Sequence, residues 1–407
     1  MSARSVLRRL LPTRQFSSVT MFGHIQPGPP DPMFTLKKNA DNDKSLEKID
    51  LGVGIYRNEA GNYQELEVVR QYGTTTGDVE FLRLAAGVMF GEHNDALKSG
   101  KISSVQTISG TGANSLGALL ISKTMEPKPK VLIGVPTWGN HVPIFQDVGL
   151  ETTTYPYLDS SKHAVDFPGF LAVVRSAPRG SVFVLQGCCH NPTGVDLSVQ
   201  QWQELAIEME SHGHLPFFDT AYQGLGDGLD EDAAGVRTFA ESGMEFLVCQ
   251  SFSKNFALYG ERCGVLHVVG STKDVATNVQ DKLRSLIRHT YSSSPAYGSR
   301  LVKIVLSDSI MRGNWTAELN TMRERLKTNR QLLHHQLTMV LKTPGDWSHL
   351  IKEKGLFSCL ALSPSQCKEL VSTYHVHLPE SGRINIAGLS KENAQRAASA
   401  IDKVVRV

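Results

Sequence analysis

Five short apolar runs, each closed by turn-forming residues, recur through the middle of the chain: Val131–Val135, Val182–Gln186, Leu215–Phe218, Phe246–Cys249 and Val265–Val269. A strand without polar alternation has no face to give to water, so it must be covered on both sides, as in a parallel sheet. Helix signals fall between these runs. Ser198-Val199-Gln200-Gln201 fits a capping box, and Trp202, Leu205, Ala206 and Met209 follow at helical spacing. The alternation, beginning near Val105, predicts an α/β fold with crossover helices. Farther on, Leu319, Met322 and Leu326 lie in a polar–apolar pattern that predicts one long helix from about Ala317 to Lys342. A chain of 407 residues exceeds a single core. The expected division is a large domain over 56–315 and a smaller α+β domain built from 20–55 and 316–407.

Hydrophobic content of 41% and charged content of 20% are those of an ordinary globular protein, and a net charge of +2 gives no reason to expect nucleic acid. No apolar run approaches the roughly 20 residues that span a bilayer. The six cysteines show no Cys-x-x-Cys spacing, so they predict reduced structural thiols and no metal site. The amino terminus differs from the rest. Arg4, Arg8, Arg9 and Arg14 occur among serines, with Val6, Leu7, Leu10 and Leu11 on one helical stripe and no acid before Asp31. Such a start predicts a mitochondrial transit peptide over residues 1–19, cleavage near Ser17 and a destination in the matrix.

Three places carry candidate chemistry. Ser109-Gly110-Thr111-Gly112 precedes an apolar helical pattern, where small residues let backbone N–H groups approach a phosphate; an ordinary strand-to-helix turn has the same composition. Phe217-Phe218-Asp219 puts a carboxylate at the end of a buried strand, where a ligand crevice or a simple cap would use it, and Tyr222 follows. Ser251-Phe252-Ser253-Lys254-Asn255 follows the Phe246–Cys249 run, with Arg262 eight residues beyond the lysine. That lysine is either a solvated loop residue or an amine that condenses with a carbonyl. The order decides between these readings. A phosphate cradle, an Asn-Pro-Thr-Gly turn, a strand-end Asp and then Ser-x-Ser-Lys with Arg resembles the layout of pyridoxal phosphate enzymes, whose cofactor needs a lysine, an anionic partner for its ring nitrogen and a phosphate site.

The quotable motifs are Leu51-Gly52-Val53-Gly54, Ser109–Gly112, Pro136-Thr137-Trp138-Gly139-Asn140-His141, His190-Asn191-Pro192-Thr193-Gly194, Phe218-Asp219-Thr220-Ala221-Tyr222-Gln223-Gly224, Ser251–Arg262 and Ser381-Gly382-Arg383-Ile384-Asn385. In this order they resemble the aspartate aminotransferase family of class I pyridoxal-phosphate-dependent aminotransferases, mitochondrial type. The resemblance implies the fold of type I pyridoxal phosphate transferases and a homodimer with shared active sites. It implies ping-pong transfer from L-aspartate to 2-oxoglutarate by way of pyridoxamine phosphate. Lys254 would hold the cofactor and shuttle the proton. Asp219 would pair with the ring nitrogen, with His141 behind it, and Asn191 and Tyr222 would bond the phenolic oxygen. Ser109, Gly110, Thr111, Ser251 and Arg262 would bind the phosphate, joined by Tyr72 across the interface. Trp138 would stack on the ring and border the substrate. Arg383, helped by Gly54 and Asn191, would grip the α-carboxylate, and Arg288 of the neighbouring subunit would grip the side-chain carboxylate of dicarboxylic amino and oxo acids.

Two departures stand out. Val68-Val69-Arg70 runs straight into Gln71-Tyr72 where the family has a further helix, and Ser292-Ser293-Ser294-Pro295 replaces Ser-Asn-Pro-Pro. The shortened stretch before Tyr72 predicts a compromised interface and shared sites, which leaves a catalytically weakened member of the family, acting as an interaction protein, as one alternative. The nearest rival is an aromatic or kynurenine-type aminotransferase. A dinucleotide-binding oxidoreductase would need Gly-x-Gly-x-x-Gly, and Ser115 stands in the last glycine's place.

Overall fold

The computed structural model describes residues 20–27, 74–159 and 161–407, with the isolated positions 42 and 44. The apolar runs build one seven-stranded sheet in the order β1 (Ile102–Ile108), β9 (Cys263–Val269), β8 (Phe246–Ser251), β7 (Leu215–Thr220), β6 (Val182–Gln186), β2 (Val131–Val135) and β3 (Thr152–Pro156). A two-stranded ribbon, β4 (Leu158–Asp159) with β5 (Ala164–Val165), follows β3 in the chain. Every neighbouring pair in the large sheet is parallel except those made by β9, which runs antiparallel to both β8 and β1.

The runs are apolar throughout because both faces are covered. Phe183, Leu185, Phe218, Phe246 and Val248 point into one cluster, which is completed by α4 (Phe167–Ser176), α5 (Val199–His212) and α6 (Ala234–Ser242). Their alternates Val182, Val184, Leu215, Phe217, Leu247 and Cys249 point into the other. There they meet α2 (Ser109–Thr124), α3 (His141–Asp147) and α7 (Lys273–Thr290). Helix α1 (Val79–Phe90) and helix α8 (Ala296–Ser307) pack over the β9 side. The capping box at Ser198 forms as the sequence requires, and Gly213 closes α5 in the left-handed region at φ 65°.

Four features differ from the sequence reading. β1 was marked only by the start of the alternation near Val105, because Ser103, Ser104 and Gln106 interrupt it, and β3 was not legible, because three threonines dominate it. β9 begins two residues before the run that marks it and is antiparallel, a sense that apolar content alone does not encode. The long helix α9 spans Ser309–His335, not 317–342, because the Asp308 carboxylate accepts from the backbone N–H groups of Ile310 and Met311 and so starts it earlier. It ends in a π-helical turn, Gln336–Val340. Finally, Phe22 and Ile25 are buried in the sheet's second cluster, which places residues 20–27 against the sheet and not with the carboxyl-terminal elements.

Those elements surround a separate apolar cluster. Leu333 and Leu337 pack there with Leu350, Leu360, Leu370 and Ile401, contributed in part by α10 (Pro364–Ser372) and α11 (Ala394–Val405). A short antiparallel pair, β10 (Phe357–Cys359) with β11 (Arg383–Asn385), lies beside it. Cys249 and Cys263 are core residues, and all six thiols are free. Among the described residues no helix is long and apolar enough to cross a membrane.

Candidate active site

The carboxyl ends of β6, β7 and β8 open on a pocket, as expected where the strands of a parallel sheet end. Its walls include Ser109, Gly110 and Thr111 from the start of α2, Trp138 from the β2–α3 loop, Asn191, Asp219, Tyr222, Ser251, Lys254 and Arg262. Ten residues expected from the sequence therefore meet in one place. Gln186, Ala221 and Ser253 line it too and were not anticipated. The rule that drew attention to Asp219, a polar residue closing a buried apolar run, applies equally to Gln186.

One end of the pocket is built to take an anion. The Ser109 backbone N–H donates to the Arg262 carbonyl at 2.9 Å, and the Arg262 guanidinium donates to the Ser109 hydroxyl. Both residues sit in the left-handed region, at φ 60° and 52°. The approach is possible because Gly264 has no side chain: a Cβ there would meet Ser109 backbone atoms at 2.5, 2.7 and 2.8 Å. A Cβ on Gly110 would likewise strike the Ser251 Cβ at 2.9 Å. Hydroxyls, a guanidinium and the N-terminal N–H groups of α2 thus face one another.

The other end holds a carboxylate. Asp219 Oδ2 lies 2.9 Å from His141 Nε2, and His141 Nδ1 lies 2.8 Å from Thr137 Oγ1. The Trp138 ring meets the His141 ring edge-on at 5.3 Å. On the facing wall Asn191 Nδ2 donates to the Tyr222 hydroxyl at 3.5 Å, and Arg383 Nη1 donates to Asn191 Oδ1 at 3.2 Å. The Arg383 guanidinium lies over the Phe357 ring at 4.6 Å.

Lys254 is half-buried, with Nζ 5.7 Å from the Tyr222 ring centre. Burial lowers the pKa of its ammonium; the Asp219 carboxylate opposes this and the Arg262 guanidinium adds to it. The Tyr222 phenol moves the other way, raised by burial and by Asp219, with Arg383 opposing. A lysine whose charge is disfavoured, beside a carboxylate and an anion cradle, is equipped to attack a carbonyl group.

Support comes from behind. Asp196 accepts from the backbone N–H groups of Cys189 and His190 at 2.7 and 2.9 Å and fixes the turn that carries Asn191. The Arg330 side chain, 3% exposed, donates to the carbonyls of Leu350, Lys354, Gly355 and Phe357 and to Glu353 Oε2 at 3.0 Å. It thereby holds the segment that places Phe357 beneath Arg383.

A family model described as aminotransferase class I and II matches residues 47–401. The chain belongs to the class I and II aminotransferases. Among similar proteins, aminotransferase tasG of Hapsidospora irregularis is 44% identical, with 95% of this chain and 96% of that protein aligned. The aspartate aminotransferase from Saccharomyces cerevisiae cytoplasm superposes with a TM-score of 0.81 at 38% identity, covering 95% of this chain and 98% of that one. An aromatic-amino-acid aminotransferase from Burkholderia pseudomallei, covalently bound to pyridoxal phosphate, also gives 0.81, at 34% identity, covering 95% and 99%. The sheet and its helices are those of the type I pyridoxal phosphate transferases.

Two of the expected side chains, Arg383 and Arg288, are not among the residues that line the pocket of this aminotransferase. Arg288, exposed at the end of α7, donates to the Ser292 hydroxyl and does not line it. Gly54 and Tyr72, together with the shortened stretch before Tyr72 and the leader, fall outside the described residues.

Proposed function

We propose that this aminotransferase is an aspartate aminotransferase, converting L-aspartate and 2-oxoglutarate to oxaloacetate and L-glutamate in two half-reactions. The observation that carries the reading is one pocket joining a half-buried lysine, a strand-end carboxylate and a hydroxyl–guanidinium cradle, with Arg383 hydrogen-bonded to its wall.

The cofactor is pyridoxal phosphate, and the donor set fits it, with an anion cradle at one end, a carboxylate acceptor for a ring nitrogen at the other, and an amine that feels both. Bound there, it supplies an electron sink for the charge that develops at the substrate Cα. Ser109, Gly110, Thr111, Ser251 and Arg262 hold the phosphate, joined by Tyr72 of a second copy. Asp219, backed by His141, faces the ring nitrogen, Asn191 and Tyr222 face the phenolic oxygen, and Trp138 covers the ring. Lys254 takes the proton from the substrate Cα and returns it as general acid and base. Arg383, steadied by Asn191 and joined by Gly54, grips the α-carboxylate in a bidentate fork.

Preference for a dicarboxylic substrate is assigned to Arg288 reaching in from the second subunit of a homodimer, since a buried cation left unpaired by a neutral side chain is costly. The same reading places the enzyme in the mitochondrial matrix. It divides the chain into a large domain over 56–315 and a small one dominated by 316–407. A broader specificity that includes aromatic amino acids is the second reading, favoured by the likeness to the Burkholderia aromatic enzyme. The deciding experiment is the absorbance spectrum of holoenzyme titrated with aspartate, then with 2-oxoglutarate. A cofactor band that shifts with aspartate and returns with the oxo acid supports the proposal. A band that responds to phenylalanine or tyrosine and ignores aspartate overturns it.

A further inference from the structure

Gln186 closes β6 with its Cα opposite that of Asp219 on β7. Its carboxamide is engaged at both ends. The Asn191 backbone N–H donates to Oε1 at 2.8 Å, while Nε2 donates to the Asn191 carbonyl at 2.9 Å and toward Thr137 Oγ1 at 3.4 Å. The amide cannot be reversed, because a flip would set NH₂ against a backbone N–H and C=O against a backbone carbonyl.

That fixed orientation propagates in two directions. Toward Asp219, the Gln186 Nε2–H occupies one of the two Thr137 Oγ1 lone pairs and turns the hydroxyl proton toward His141 Nδ1, 2.8 Å away, which suits an acceptor-only Asp219 carboxylate at the other ring nitrogen. An imidazole that accepts at Nδ1 carries its proton on Nε2, and so donates to Asp219 Oδ2 at 2.9 Å. Toward the opposite wall, the two bonds to the Asn191 backbone hold that residue where its side chain meets both the Tyr222 hydroxyl and Arg383. A single neutral side chain therefore touches the chains of hydrogen bonds that end at Asp219 and at Arg383.

We infer that Gln186 is a positioning residue whose fixed carboxamide reinforces, through Thr137, the His141 tautomer that the Asp219 carboxylate selects, and sets the pose of Asn191, coupling the two walls of the cofactor pocket. Its consequence for catalysis rests on the aminotransferase reading; the tautomer of His141 does not.

The test is nitrogen NMR of full-length protein labelled with ¹⁵N-histidine, the His141 ring signals being assigned by their absence in His141→Asn. The wild type should show His141 with a proton on Nε2 and Nδ1 accepting from Thr137. In Gln186→Met, which keeps the length and removes both polar ends, the signals should move toward a mixture of tautomers. Thr137→Val should do the same, since it cuts the path to His141 while leaving the bonds from Gln186 to the Asn191 backbone. Gln186→Glu can only accept, so it should draw the Thr137 hydroxyl proton to itself and place a proton on His141 Nδ1. With holoenzyme, Gln186→Met should raise KM for the amino donor about tenfold, through Asn191 and Arg383, whereas Thr137→Val should lower kcat with KM unchanged. A wild-type His141 that carries its proton on Nδ1 overturns the inference. So does an unchanged Nε2–H signature in Gln186→Met and Thr137→Val. Either result is read without turnover, so failure of the substrate assignment would not be mistaken for failure here.

Discussion

Lys254 carries two opposed demands. An amine that must lose its proton to react gains from burial, but the same burial disfavours the charged form that the unfolded chain prefers. With the folded pKa below the unfolded one, the unfolded chain binds more protons between the two values, so stability in that window rises with pH. Lys254→Met should therefore raise the Tm of cofactor-free protein at neutral pH, as measured by calorimetry, while lowering kcat by roughly 10⁴-fold. A Tm that falls would show that the lysine is held by favourable contacts instead. The sequence made Lys254, Asp219 and Arg262 legible because each stands beside a strand end in a distinctive order. Gln186 was passed over because its role is set by what it faces: a backbone N–H and carbonyl five residues on, and a threonine 49 residues back.

Secondary elements bring these groups together through close backbone approaches. β9 passes so near the β1–α2 junction that only glycine fits at 264. Gly264→Ala should cost about 1–3 kcal/mol of stability, the usual cost of overpacking. It should also weaken pyridoxal phosphate binding by at least about tenfold as the cradle is pushed apart. Equilibrium dialysis and denaturant titration would separate the two effects. At the far end of α9, burial raises the Glu353 carboxyl from its ordinary 4.5 to about 7. A raised folded pKa gives stability that is complete below 4.5 and is lost as the pH climbs through 7. Melting temperatures at pH 5 and pH 8 should thus differ less in Glu353→Gln than in the wild type, because the amide still accepts from Arg330 and no longer titrates. Element types were legible from periodicity, as at Ser198–Met209. The boundaries of α9 and the sense of β9 were not, since one depends on a single capping carboxylate and the other on which neighbour the strand finds.

For the whole molecule, assigning Arg288 to a partner's site has a direct test. Lys254→Ala and Arg288→Ala homodimers should each be nearly inactive toward aspartate. Unfolded together and refolded as a mixture, they should regain about a quarter of wild-type activity, because half the dimers are mixed and each holds one intact site. No recovery, with mixed dimers demonstrated by mass spectrometry, would put Arg288 in its own subunit's site or in none. The α/β architecture followed from five alternating runs, but the seven-strand count and the pairing of β1 with β9 did not, since β1 and β3 carry too many polar residues to read as runs and the pairing joins segments far apart in the sequence.

That pairing also sets a timetable. Ser109 and Arg262, the two halves of the cradle, are 153 residues apart in the chain. At 5–20 residues per second, a ribosome that has released the first half needs roughly 8–30 s to deliver the second. Lys254 and Arg262 arrive together, on the short return from β8 to β9. A nascent chain therefore has no competent phosphate grip until its reactive lysine is also present, and free aldehyde in the cell meets either a chain that cannot hold it or one ready to bind it in register.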